Sequence, residues 1–161
     1  MNNKNLSNII IWTENKPGVF FRILWLFRRK MFNIESATVG HTEIPEITRF
    51  TITVAGDRDQ IRNMCKQVHK LINVVRVEDV PDEKLVAREL AMIKLASKSR
   101  HEKMEILEMA KHFRARAVSI SPDKIVLEIT GGEEKIDAFY ENMTQFKILE
   151  FVRTGRTALF K

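Results

Sequence analysis

The residues best placed to hold a small charged ligand are Asn15-Lys16-Pro17-Gly18-Val19. They lie between an apolar run, residues 8–12, and an amphipathic run, residues 19–31. That order reads as strand, tight turn and helix. Pro17 suits the first helical turn, where its missing N–H would be unpaired anyway. Gly18 has no Cβ and admits a close approach. The start of a helix offers unpaired N–H groups and the positive end of its dipole, which together hold a carboxylate. The turn therefore reads as a site for a small amino acid. Strand-Pro-Gly-helix turns also form for purely structural reasons, and spacing alone leaves both readings open.

No other stretch assembles chemistry. His41, His69, His101 and His112 do not sit with carboxylates or the cysteine at metal-ligand spacing. Cys65 is the only cysteine and falls on the apolar stripe of a helix, as a core thiol does. Gly131-Gly132 precedes a helix without a dinucleotide or Walker pattern. Glu133-Glu134 belong to a first helical turn, where acids complement the dipole. No nucleophile, base and orienter come together, so the chain reads as having no catalytic residues and no metal site of its own.

The elements that position the turn follow from periodicity. Phe20, Ile23, Leu24, Phe27 and Met31 recur on one helical face, and Phe21, Trp25 and Leu26 add apolar surface beside it. Residues 33–40 read as a strand and residues 41–46 as a polar loop. In residues 47–54, Phe50, Ile52 and Val54 alternate with Arg49, Thr51 and Thr53, which marks a half-buried strand. Asp57 is placed to cap a helix striped by Ile61, Met64, Cys65, Val68, Leu71 and Ile72. Residues 74–80 complete a β-α-β-β-α-β order, the ferredoxin-like arrangement. The order repeats: strand 85–95, helix 101–113, strands 115–120 and 124–130, helix from Ile136 to Met143, strand 146–153. The fold class is α+β, two ferredoxin-like domains in tandem with antiparallel sheets and helices on one face. The limits are 1–80 and 85–161, with Pro81-Asp82-Glu83-Lys84 between them and a tail docked through Leu159 and Phe160.

At 161 residues the chain has room for two small cores, and its net charge of +6 is spread among acids rather than gathered in an arm. That distribution reads as a solvated basic surface. Met1 to Ser7 carry no signal-peptide pattern, and no apolar run approaches the ~18 residues that span a bilayer. A cytoplasmic protein without membrane contact is expected.

Asn15-Lys16-Pro17-Gly18-Val19, Leu26-Phe27-Arg28-Arg29 and Asn33-Ile34-Glu35-Ser36-Ala37-Thr38-Val39-Gly40 resemble an ACT domain, and specifically that of the acetolactate (acetohydroxyacid) synthase small regulatory subunit. Lys66-Gln67-Val68-His69-Lys70-Leu71-Ile72-Asn73-Val74, Arg88-Glu89-Leu90-Ala91-Met92-Ile93-Lys94 and Arg153-Thr154-Gly155-Arg156 extend the resemblance over nearly the whole chain. The resemblance implies a regulatory subunit of branched-chain amino-acid biosynthesis that activates a catalytic (large) subunit and confers feedback inhibition by valine or another branched-chain amino acid. Thiamine diphosphate, magnesium and FAD belong to that catalytic subunit, and none to this chain. It implies a homodimer through the ACT domains, with the effector between Asn15, Gly18 and Val19 of one copy and Asn33 and Ile34 of the other. Phe20 and Phe21 stand where the family often has smaller side chains, which bears on pocket size.

A competing reading is an amino-acid-sensing or nucleic-acid-binding module unrelated to the synthase. The sheet face expected to be open carries Arg49, Thr51 and Thr53 rather than paired aromatics for base stacking, which speaks against nucleic acid.

Overall fold

The structure is a computed structural model describing residues 6–161. Residues 1–5, most of the segment read as lacking a signal pattern, lie outside the described residues. β1 (Leu6–Glu14) leads into α1 (Val19–Arg29), then β2 (Ile34–His41), β3 (Ile47–Ala55), α2 (Arg58–Val68) and β4 (Val74–Val80). A single 3-10 turn, Asp82–Lys84, precedes β5 (Leu85–Ala96). The order then recurs as α3 (Arg100–His112), β6 (Arg116–Ile120), β7 (Lys124–Gly131), α4 (Glu133–Met143) and β8 (Ile148–Arg153), followed by a short β9 (Thr157–Phe160).

The first sheet runs β2-β3-β1-β4 and the second β6-β7-β5-β8, with antiparallel neighbours throughout. Both are the ferredoxin-like arrangement that the element order implies. Two compact units result: Met1–Val86 with Arg156–Lys161, and Ala87–Gly155. The last six residues thus count with the first unit, not with the stretch from 85 that leads to them.

Each unit has its own core, formed where period-2 strand faces meet period-3.6 helix faces. In the first, Ile9 and Ile11 of β1 and Phe50, Ile52 and Val54 of β3 pack on Val19, Ile23, Leu26 and Phe27 of α1 and Ile61, Met64 and Val68 of α2. In the second, Ala91, Ile93 and Leu95 of β5 and Ile125, Leu127 and Ile129 of β7 pack on Ile106 and Ala110 of α3 and Ile136, Phe139 and Met143 of α4. Asp57 caps α2 by accepting from the Gln60 N–H at 2.8 Å. Cys65 packs beside the first core, and burial pushes its thiol up to about 12, far from the range of a nucleophile.

Two apolar stripes end earlier than their periodicity. α1 stops at Arg29, and Met31, in left-handed backbone at φ 59, is 89 % exposed instead of facing the core. α2 stops at Val68; Leu71 still packs beside the core, but Ile72 points to solvent. In both cases the chain turns toward the next strand before the periodic residue comes round.

The other face of the first sheet differs most from expectation. Thr51 and Thr53 are buried rather than open. Thr51 pairs across to Thr38 of β2, and Thr53 to Asn8 of β1. Arg156 bridges these flanking strands. Its carbonyl accepts from Thr38 Oγ1 at 2.6 Å, while its Nη1 donates to Asn8 Oδ1 at 3.2 Å and Asp82 Oδ1 at 2.9 Å. Its side chain is 12 % exposed, so it crosses β3 and closes over the threonines. Further along, Phe160 stacks on Trp12 with ring centroids 6.0 Å apart, and the Arg49 guanidinium lies over both rings. The tail is docked through Arg156, buried Ala158 and Phe160, whereas Leu159 faces solvent. An RNA-type stacking platform is therefore not available on this face.

Arg156→Ala removes a donor from the buried Asn8 amide. The expected loss is about 1–3 kcal/mol of unfolding free energy, read as a lower urea midpoint. Arg156→Lys should recover only part of it, because a single ammonium does not reproduce the guanidinium fork.

Candidate functional site

The turn between β1 and α1 is fastened from two directions. The Asn15 N–H donates to the Glu46 carbonyl at 2.6 Å, from the loop before β3. The Glu14 N–H donates to the Asn73 carbonyl at 2.9 Å, from the residue before β4. Asn73, in left-handed backbone at φ 73, also works through its side chain. Its Nδ2 donates to Glu14 Oε2 at 2.7 Å, and its Oδ1 accepts from Arg22 Nη2 at 2.9 Å. Lys16 Nζ lies 2.7 Å from the same Glu14 oxygen. Hydrogen bonds from Lys16 and Asn73 hold the Glu14 carboxyl below its usual range. The turn is thus a fixed object rather than a loose connection.

Gly18 caps α1 with φ 81 and ψ −7 and no side-chain cap. The left-handed backbone favours glycine, whereas a Cβ there would meet nothing within 4 Å, so the space above it is open. The Val19 N–H bends back to the Lys16 carbonyl at 3.3 Å, a long bond, and the Val19 side chain is in the core. The amides of Phe20 and Phe21 follow in the first turn, where no intrahelical acceptor exists. Asn15 is exposed beside them. A carboxylate arriving here meets backbone donors, the helix dipole and no acid belonging to α1. Phe20 folds onto Phe50, with ring centroids 5.4 Å apart, and Phe21 is exposed.

Beneath the turn lie polar groups that the sequence reading passed over. Thr13 and Thr48 are paired across β1 and β3, and both are buried. Neither hydroxyl has a hydrogen-bond partner among the described residues, and the same holds for Arg22 Nε. The available signal was two threonines continuing the inward register of Ile9-Ile11 and Phe50-Ile52. Asn73 and Glu14 had no local signal, because their bond joins residues far apart in the chain.

The second half of the expected site is elsewhere. Asn33 is exposed, and its Nδ2 donates to Glu35 Oε1 at 3.0 Å, which leaves the amide oxygen as its acceptor. Ile34 opens β2 opposite Val54 and packs beside the core, with a bulge before Ser36. The turn follows Glu14, which is opposite Ile47, so the two places are seven residues apart along β3. At ~3.4 Å per residue that is about 24 Å. One chain does not bring Asn15, Gly18 and Val19 together with Asn33 and Ile34. β2 is also an edge strand of its sheet, with Val39 exposed on it.

Of the four histidines, all exposed, His101 lies 3.5 Å from Glu105. Among the described residues no three His, Cys, Asp or Glu side chains are placed to share a metal ion, and no helix is long and apolar enough to cross a membrane.

Comparison with known proteins gives consistent matches. A family described as the small subunit of acetolactate synthase matches residues 88–161, and one described as an AHAS small subunit-like ACT domain matches residues 9–76. The chain is 46% identical over 146 residues to a probable acetolactate synthase small subunit of Methanothermobacter thermautotrophicus, covering 91% of this chain and 87% of that one. It is 42% identical over 153 residues to the probable acetolactate synthase small subunit of Archaeoglobus fulgidus, covering 95% of each. The crystal structure of an acetolactate synthase small subunit from Thermotoga maritima superposes with a TM-score of 0.90 at 35% identity, covering 98% of both chains.

Gly18→Ala forces an L side chain into left-handed backbone. It should lower stability by about 1–2 kcal/mol, seen as a reduced melting temperature, although the added methyl has room.

Proposed function

The chain belongs to the acetolactate synthase small-subunit family, and on that premise we propose that it is a valine-responsive regulatory subunit whose effector binds between two copies of its first unit. A small subunit of this enzyme is a regulatory partner of a catalytic subunit. The finer reading is that it raises the catalytic subunit's activity and makes it sensitive to valine or another branched-chain amino acid. Thiamine diphosphate, magnesium and FAD belong, in this reading, to the catalytic subunit.

The observation that carries it is the separation of about 24 Å between the two half-sites in one chain. β2 is the edge between them and a second copy. Antiparallel pairing of β2 with β2 of a second copy, about a twofold axis, reverses the direction of that copy's sheet. The start of the second copy's β2, with its Asn33 and Ile34, then lies toward the end of this chain's β2. That end pairs with β3 near Thr48, next to the loop whose Glu46 holds Asn15. Each twofold contact yields two complete sites.

Each site has the groups that a free amino acid needs. Backbone amides at the start of α1 take the carboxylate. The Asn33 oxygen, left as acceptor by the bond to Glu35, takes the ammonium. Phe20 and Val39 supply apolar surface near the same edge, and each buried CH₂ of the effector contributes about 0.8 kcal/mol. One methylene discriminates only modestly, so valine over leucine or isoleucine is a graded preference. Occupancy changes the synthase because the effector binds the active and inhibited assemblies with different affinity.

The test is to mix the chain with the catalytic subunit from the same source and measure pyruvate condensation with and without valine. Stimulation that valine suppresses is expected; no effect of the chain on the rate would reject the reading. Calorimetry addresses the site. Asn33→Ala should weaken valine roughly tenfold or more, as for loss of a charge-assisted hydrogen bond, with the dimer mass unchanged. Equal affinity in that variant would remove Asn33 from the site.

A further inference from the structure

We infer that the outward side of α1, with Phe21, Trp25 and Arg28 at its centre and Arg29 beside Trp25, docks on an acidic, apolar patch of the catalytic subunit. The inference rests on the regulatory reading above for its partner and on the geometry of α1 for its place.

α1 uses its sides differently. Val19, Ile23, Leu26 and Phe27 are buried against the sheet. On one flank Phe20 lies on Phe50, toward β2; on the other Arg22 reaches Asn73. At ~100° per residue, Phe21 and Arg28 lie opposite the buried side, with Trp25 next to them. Phe21 is 71 % exposed and Trp25 48 %. The Arg29 guanidinium sits 5.3 Å from the Trp25 ring centroid and restrains it. Aromatic side chains and arginine are the types that dominate interface energetics.

Contact between copies through the β2 edge extends the sheet sideways and leaves this side of α1 uncovered. A second copy placed on it would set like charge on like: α1 contains no acid, and Arg28, Arg29 and Lys30 crowd its end. Charge complementarity therefore selects an acidic surface with an apolar centre. The partner that a small subunit of this enzyme must meet is its catalytic subunit.

The experiment uses the full chain and the purified catalytic subunit. Association is followed by biolayer interferometry at about 50 mM and about 300 mM salt, where screening differs strongly. Trp25→Ser, an aromatic change about two turns beyond the helix-start amides and exposed, should keep the wild-type melting curve, dimer mass and valine affinity while weakening association at least tenfold at both salts. Arg28→Gln with Arg29→Gln should weaken it mainly at low salt and flatten its salt dependence. Association of the aromatic variant within twofold of wild type would overturn the inference. Loss of dimer mass or of valine binding in that variant would also overturn it, by assigning the surface to contact between copies. Binding of wild type, but not of the aromatic variant, to phosphatidylglycerol vesicles, with subunit association unchanged, would assign it to a membrane instead. Wild-type chain that neither binds nor stimulates the catalytic subunit would reject the regulatory reading itself, an outcome distinct from a variant that behaves like wild type.

Discussion

Antiparallel register in the first sheet governs what this molecule can do alone. Glu14 opposite Ile47 and Ile34 opposite Val54 place the helix-start turn and the start of β2 at opposite ends of β3. No side-chain rotation spans that distance, because a strand is an extended, nearly inextensible object. A ligand that needs both places needs two chains. The strand order leaves β2 at one edge of the sheet, so the strand that carries half of the proposed site is also one that a second copy could pair with. In the proposed dimer, binding and association share one set of contacts, so the effector and the second copy would stabilise each other.

The donor end of that arrangement is stiff. Gly18 sets the entry angle of α1 by a backbone conformation that other residues adopt with strain. Glu14, Lys16, Asn73 and Arg22 tie the turn to the residues before β4. A preorganised anion site loses little freedom when its ligand arrives. The unpartnered hydroxyls of Thr13 and Thr48 lie in the strand layer just below. Buried polar atoms without partners are costly in a finished core. Thr53 Oγ1 and the Nε and Nη2 of Arg49, on the opposite face, are likewise without hydrogen-bond partners among the described residues.

Closure of the opposite sheet face decides which surfaces remain. Arg156 spans β3 from Thr38 to Asn8, and Phe160 covers Trp12. Burial pushes the Arg49 guanidinium below its usual range, in keeping with its place over the two rings. With that face occupied by the chain's own end, the β2 edge and the outward side of α1 are among the surfaces that the first unit still presents. These differ in chemistry: the edge offers backbone groups and Val39, whereas the helix offers aromatics among cations. In the proposed reading the subunit has two partners to meet, its own copy and the enzyme it controls, and two such surfaces suffice.

The sequence by itself determined the element order, the repeated β-α-β-β-α-β plan, the cap at Asp57, the Pro-Gly turn and the family resemblance. These rest on patterns within a few residues, where alternation and helical spacing report directly on which side of an element is buried. Tertiary structure decided the rest. Met31 and Ile72 keep the helical period, yet the backbone leaves the helix before reaching them, because the next strand sets where the turn must come. Thr51 and Thr53 alternate like residues of an open face, and Arg156, more than a hundred residues away, closes over them. Asn73 gains its role from Glu14 and Arg22, neither of them near it in the chain. Asn15 and Asn33 were legible as candidate site residues, but not their positions at opposite ends of a sheet. Local pattern records what a residue needs from water and from its neighbours along the chain; which distant group meets that need is settled when the strands take their register.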